Sequence, residues 1–345
     1  MTVGAGDLLR AFHWRLRSNR ADAVHMLALP GSVLGSALRL PVRLRRAGAH
    51  RPRLAIVLLE RMGDIVAAEP IARLARQRFP DAWICWIVQA PYASLPRSYP
   101  AVDDVVTVRC LTEWLLLQRL NLFDVVWNLH LNDACCPHCC IPRNEPGALP
   151  TLATYFEHGS LLAVHCLCAG LPPLDESPVL APPPAAVAAV DALALPRRFI
   201  AIHGVSTDPR REWVTDKWRV LVDRLLAADP AASVVEVGTQ PLVIRQDGAR
   251  QRALCGGLSM LETAEVIRRA ALHVGIDSGP AHLAHAVGTP GVLLLGRYAN
   301  FRRYMPFSGD YGSGRRATVL QADGWAAELT TDAVFAAVQA RLGAA

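Results

Sequence analysis

Lysine is nearly absent from this chain of 345 residues: of its 36 basic residues only Lys217 is a lysine. Aromatic residues are scarce at 6%, and charged residues reach only 19%. A nucleic-acid-binding face would interleave basic and aromatic side chains on the folded surface, a pattern this sequence does not show. Internal repeats are missing, and the one biased stretch is rich in Ala and Pro. No apolar run reaches the roughly 20 residues of a membrane span. The best stretch, Ala23 to Leu38, is broken by His25, Pro30, Gly31 and two serines. It also lies behind too many arginines to read as a signal peptide, so a cytoplasmic protein is expected. The nine cysteines are crowded and odd in number, unlike a disulfide framework, which fits a reducing compartment.

What is present is ample apolar material, 52% of the chain with 24 Gly and 25 Pro. That excludes disorder, collagen and coiled coil, and the length suggests two domains. The net charge of +6 is unevenly placed. Residues 1–53 hold ten arginines against Asp7 and Asp22, or +8, which leaves −2 for the rest. A basic arm, suited to peripheral contact with an anionic membrane surface, is one reading of that segment; a solvated extension is the other.

From Arg53 onward the pattern is regular. Leu54–Leu59 is a continuous apolar run of strand length, Glu60–Asp64 a polar turn, and Ile65–Phe79 an amphipathic helix. Strands follow at 82–89, 105–108 and 124–129, with helical stretches between them. Residues 172–196 have the composition of a linker or a domain edge. A second series begins at Arg198–His203 and alternates strands at 233–237, 272–276 and 291–295 with helices at 215–228, 259–271, 280–287 and 331–342. This alternation predicts an α/β protein with two Rossmann-like domains facing each other across a cleft, and ligands at the carboxyl ends of the strands.

The stretch Leu272-His-Val-Gly-Ile-Asp277-Ser278-Gly279-Pro280-Ala-His282 carries the most chemistry. A buried strand ends at Ile276, and Ser278-Gly279-Pro280 opens a helix whose free N–H groups and dipole favour an anion. Gly279 lets a phosphate approach the backbone, and His282, one turn in, adds a donor. An ordinary capped strand–turn–helix is the competing reading of the same spacing.

Asp277-Ser-Gly-Pro-Ala-His-Leu-Ala-His-Ala followed by Gly-Thr-Pro and an apolar strand ending in Gly296 resembles the ADP-heptose:lipopolysaccharide heptosyltransferases, glycosyltransferase family 9. Leu54-Ala-Ile-Val-Leu-Leu-Glu-Arg-Met-Gly63-Asp64 and the helix ending in Phe79-Pro80 resemble the same family's opening. The resemblance spans roughly residues 53 to 342. It implies the GT-B fold and inverting, metal-independent transfer of heptose from ADP-heptose. It also implies an N-terminal acceptor domain over 53–180, a linker over 181–197 and a nucleotide-sugar domain over 198–330. A basic extension, 1–52, and a closing helix, 331–345, flank them. Asp64 matches the family's catalytic base. Ser206, Thr207 and Arg211 match a phosphate-contacting loop, Arg210 being the adjacent alternative, and Asp277, Ser278, Gly279 and His282 match the diphosphate site. Asp277 shapes the loop in this reading, because a carboxylate repels a phosphate. Lipopolysaccharide core is the implied acceptor, and a protein acceptor is the alternative.

Two stretches depart from the family. After Val237-Gly238 stands Thr-Gln-Pro in place of an acidic residue for the ribose. After Gly296 come Arg297, then Arg302 and Arg303, which either supplement the phosphate contacts or sit on the surface.

Asp133-Ala-Cys-Cys-Pro-His-Cys-Cys140 and His165-Cys-Leu-Cys168 are not part of the family pattern. Their density suggests a structural zinc or iron on Cys136, Cys139, Cys166 and Cys168, with a reduced thiol patch as the plainer alternative. A non-catalytic scaffold organised around such a metal is the rival to an enzyme. Trp83, Trp86, Trp114 and Trp127 lie in apolar elements and are expected in the core.

Overall fold

The computed structural model describes residues 20–45, 51–147, 149–297 and 304–343. Its contacts divide the chain into two units, and the chain passes between them more than once. The first holds residues up to Arg61 with Ile71–His158 and Ala163–Leu174; the second holds Met62–Pro70, Gly159–Leu162 and everything from Asp175.

In the first unit the strands β1 (Arg53–Val57), β2 (Trp83–Val88), β3 (Asp104–Thr107) and β4 (Val125–Asn128) form a sheet ordered β3-β2-β1-β4. All its pairings are parallel. Of the central strands, β2 is buried throughout and β1 from Leu54 onward, as continuous apolar runs require, and the four tryptophans named above are all in the interior.

The basic N-terminal segment is not an appendage over its described part. Residues Arg20–Arg45 form a helix, α1. Leu40 and Leu44 enter the core beside Val57, Trp83 and Trp114, while Met26 and Leu29 pack on Cys110, Cys136 and Cys139. Glu113, fully buried, receives hydrogen bonds from Ser32 Oγ at 2.8 Å and Ser36 Oγ at 2.7 Å. Arg43 donates to the Val105 carbonyl at 2.9 Å. Pro30 and Pro41 lie inside α1 without ending it, so the helix outruns the interrupted apolar stretch. By length and composition alone it would pass for a membrane-crossing helix.

The helix expected over Ile65–Phe79 is two helices, α2 (Met62–Ala67) and α3 (Glu69–Arg78). Pro70 has no N–H to give to the turn before it, so the helix restarts there. Asp64 consequently lies in the first turn of α2.

The second unit's sheet has the order β10-β9-β8-β5-β6-β7, again all parallel. Its strands are β5 (Phe199–His203), β6 (Ser233–Gly238), β7 (Gln251–Cys255), β8 (Leu272–Ile276), β9 (Gly291–Gly296) and β10 (Ala317–Ala322). β7 and β10 were not anticipated; both are edge strands, partly exposed, and lack the continuous apolar run of a central strand. The Ala/Pro segment is also more than a linker. Pro184–Asp191 forms a helix whose Ala186 and Val190 are buried, with Pro184 at its first position and alanine favouring helix. β5 pairs with β6 on one side and β8 on the other, so the strand order reverses there. The loops leaving β5 and β8 start side by side at this switch point.

Candidate active site

β8 ends at Ile276 and the helix Gly279–Ala286 follows after two residues. Ser278 is extended (φ −161°, ψ 171°), and its hydroxyl donates to the Ile276 carbonyl at 3.2 Å. No side chain caps this helix, so its first-turn N–H groups keep their pull on an anion.

The loop after β5 is folded by its own acidic residues. Ser206 N–H donates to Glu212 Oε1 at 2.7 Å, and the Ser206 hydroxyl accepts from Asp208 N–H at 3.1 Å. Arg210 forms a two-point pair with Asp208, both bonds 2.9 Å, and stays on the surface. Arg211 instead crosses to the next loop and donates to Asp277 Oδ2 at 3.1 Å. The other oxygen of Asp277 lies 3.8 Å from His282 Nε2. Burial pushes the Asp277 carboxyl up from its ordinary range, and the Arg211 guanidinium opposes that shift. Asp277 therefore lies between a guanidinium and an imidazole. Thr207 is exposed on the same loop.

The segment Met62–Pro70 belongs to this unit and packs on the same helix. A methyl group on Gly63 would stand 2.8 Å from His282 Cδ2, so only glycine lets α2 lie against the imidazole. A methyl group on Gly279 would meet Met62 in turn. Asp64, next in the chain to Gly63, is half-buried. His282 is buried and its ring packs on Phe307 with centroids 4.9 Å apart; His285 stacks on Tyr311 at 4.4 Å. The structure thus brings Gly63, Arg211, Asp277, Gly279 and His282 into one contact network. Neither Phe307 nor Tyr311 carries a sequence signal that would have marked it.

At the end of β6, Gly238 has φ +141°, and a side chain there would strike the His203 ring at 2.8 Å. Glu236, one strand position pair earlier, is buried and accepts from the N–H groups of Leu242, Val243 and Ile244 at 2.7–3.1 Å. The acidic residue here holds its own loop. Arg297 is exposed and pairs with Gln321, whereas Arg302 and Arg303 lie outside the described residues.

In the first unit the cysteines gather differently from the expected set. His25, Cys110, Cys136 and Cys139 place one donor atom each within 4.8 Å of one another, an arrangement able to hold a metal ion. Cys166 and Cys168 are not in this group: they lie buried on the helix Leu161–Cys168, and burial raises the Cys168 thiol to about 12. Within the group, hydrogen bonds from Cys110 and Cys139 hold the Cys136 thiol well below its usual range. His25 and Cys110 escaped sequence reading because each is isolated in the chain and neither shares a motif with Cys136-Pro-His-Cys139.

Two parallel sheets with helices match the GT-B fold of solved glycosyltransferases. A family 9 glycosyltransferase from Veillonella parvula shares it at 16% identity with a TM-score of 0.66, over 85% of this chain and 98% of that one. Escherichia coli ADP-heptose LPS heptosyltransferase II does so at 18% identity and a TM-score of 0.63, over 85% and 99%. The iron-containing dodecameric glycosyltransferase TibC from enterotoxigenic E. coli aligns at 16% identity and a TM-score of 0.53, over 82% and 66%. No curated protein matches the sequence. The likeness to these structures is one of fold, and one segment of the sequence carries a family match within it. That segment, residues 169–309, matches the model of glycosyltransferase family 9 (heptosyltransferase) and contains Ser206, Thr207, Arg211, Asp277, Ser278, Gly279 and His282.

Proposed function

We propose that the chain transfers heptose from ADP-heptose to an acceptor hydroxyl with inversion and without a catalytic metal, and that lipopolysaccharide core is the acceptor. The observation that carries this reading is the Arg211–Asp277–His282 cluster at the start of an uncapped helix, with Gly63-Asp64 packed on it. Structures of E. coli WaaC with ADP and of TibC with ADP-D-β-D-heptose support the choice of donor. In the reaction Asp64 takes the proton of the acceptor hydroxyl as its oxygen bonds to the anomeric carbon. The bond from that carbon to the diphosphate oxygen breaks, and ADP departs. Arg211, His282 and the N–H groups at Ser278-Gly279 receive the charge that develops on the diphosphate. Ser206 and Thr207 line the loop that carries Arg211.

Contact with the cytoplasmic membrane face belongs to the same proposal. The helix Arg20–Arg45 exposes Val24, Leu27, Leu34, Leu38 and Val42, and Arg39 and Arg45 are exposed beside them, a combination suited to an anionic interface.

Calorimetry with ADP and ADP-heptose is the test. Wild-type protein should bind both, and His282→Ala should weaken binding by the ~1.5–3 kcal/mol of a lost charge-assisted contact. Asp64→Asn should retain donor binding yet lose roughly 10²–10⁴-fold in transfer to a lipopolysaccharide core acceptor. Folded protein that binds neither ligand would remove the donor assignment. Transfer to protein but not to the core acceptor would replace the acceptor.

A further inference from the structure

The cluster in the first unit draws its donors from three separate parts of the chain. His25 comes from the helix Arg20–Arg45, Cys110 from the residue before the helix Leu111–Leu117, and Cys136 and Cys139 from one tight loop. That loop is built to face two thiols the same way. Cys139 and Cys140 N–H both donate to the Cys136 carbonyl, at 3.2 and 2.8 Å, and Cys135 bridges to Pro142. Cys140 adopts a left-handed φ of 52° to complete the turn, a conformation non-glycine residues adopt at a cost.

The His25 Nε2–Cys136 Sγ separation is 3.6 Å. A tetrahedral ion with metal–sulfur and metal–nitrogen bonds of about 2.3 and 2.1 Å requires an edge of about 3.6 Å between such donors. The remaining edges lie within 4.8 Å, so small side-chain movements close the tetrahedron. The three cysteines are buried, and Met26, Leu29 and Ile141 surround them. A further layer orients the histidine. His138, inside the cysteine loop, stacks on the His25 ring at 4.5 Å and pairs with the buried Asp22 carboxylate at 2.7 Å.

We propose that His25, Cys110, Cys136 and Cys139 bind one four-coordinate, thiolate-preferring ion, zinc or iron, that fastens the helix Arg20–Arg45 to the first unit. Four protein ligands leave no open position, so the ion is structural and performs no step of transfer. Each thiol that ligates as thiolate gives up its proton to solvent on binding. The opposite end of the helix is held by Leu40, Leu44 and Arg43, and its middle by Ser32 and Ser36; the ion holds the start.

The experiment is elemental analysis of the full chain, carrying no histidine tag and purified without chelator. About one zinc or iron per chain is expected, and the element found decides between the two. Cys110→Ser, Cys136→Ser and His25→Ala should lose most of it, whereas Cys135→Ser, Cys140→Ser and Cys166→Ser should keep it. Alkylation followed by mass spectrometry needs no variant. With metal present, Cys110, Cys136 and Cys139 should resist modification while Cys135 and Cys140 react; a strong chelator should expose the three and increase proteolysis within residues 20–45. Metal content well below stoichiometric after anaerobic reconstitution overturns the proposal. So does metal that survives the three ligand substitutions, or a disulfide joining any two of the three thiols.

Discussion

Arg211 donates to Asp277 across two loops that leave adjacent strands, while its neighbour Arg210 is folded back on Asp208. Two carboxylates, Asp277 and Asp208, therefore hold these consecutive arginines apart. Arg211→Ala should raise the KM for the nucleotide-sugar donor about tenfold or more, the equivalent of losing a charge-assisted contact. Arg210→Ala, which removes an exposed pair, should change it by less than about twofold. Steady-state kinetics on the two variants separates them, and equal effects would contradict the assignment.

Gly63→Ala places a methyl group 2.8 Å from the His282 ring, closer than carbon atoms tolerate. The helix or the imidazole must move, at a cost of about 1–3 kcal/mol. Donor affinity and transfer should both fall although no functional group has been removed. Thermal unfolding and calorimetric ADP binding on this single variant check both halves of the expectation.

His130 is buried and receives the Leu59 N–H on Nε2 at 2.9 Å, with Nδ1 2.9 Å from Asn128 Oδ1. Those partners assign the proton to Nδ1 and leave no room for a second. Burial depresses its pKa to about 3, and His273 in the second unit is lowered to about 3 for the same reason. The unfolded chain binds the proton near pH 6.5, so between about 6.5 and 3 it holds more protons than the folded one. Stability is complete above that window and falls as pH drops through it, by about 1.4 kcal/mol per pH unit for each such histidine. Urea unfolding between pH 7.5 and 5 should show this slope, reduced by one proton's worth in His130→Phe. An unchanged slope in that variant would refute the role.

Glu113 is a fully buried carboxylate held by Ser32, Ser36 and the Arg109 N–H. Removing both hydroxyls (Ser32→Ala with Ser36→Ala) strands its charge and should cost roughly 1.5–3 kcal/mol per lost bond. Adding Glu113→Gln to that pair should recover part of the loss, since a neutral amide tolerates burial better. Differential scanning of the three proteins tests the order; a triple variant no more stable than the double would contradict it.

The central strands and the two loop signatures were legible because each is a contiguous pattern: apolar runs for β1, β5 and β8, and Gly63-Asp64 or Asp277–His282 for the site. What escaped was either at a sheet edge or assembled from distant parts. β7 and β10 each pair with a single neighbour and are half-buried over most of their length, so neither carries the continuous buried apolar run of a central strand. The helix Arg20–Arg45 hid behind its arginines and two prolines, although Leu40 and Leu44 complete a core. The expected metal set kept the two residues that share a loop and missed the two, His25 and Cys110, that only folding brings beside them. Proximity in sequence marked half of that cluster, and Cys166 and Cys168 show where proximity misleads.

Residues Met62–Pro70 are synthesised between β1 and β2 yet belong to the unit built mainly from Asp175 onward. The two halves of this polypeptide are therefore not separable cassettes. A fragment starting at Asp175 would leave the faces of Gly279 and His282 without Met62 and Gly63 against them. Grafting that fragment onto the front half of another such protein would import a foreign Gly-Asp segment along with it. Recombination at the apparent linker therefore parts Met62 and Gly63 from Gly279 and His282 unless this nine-residue insert travels with the back half.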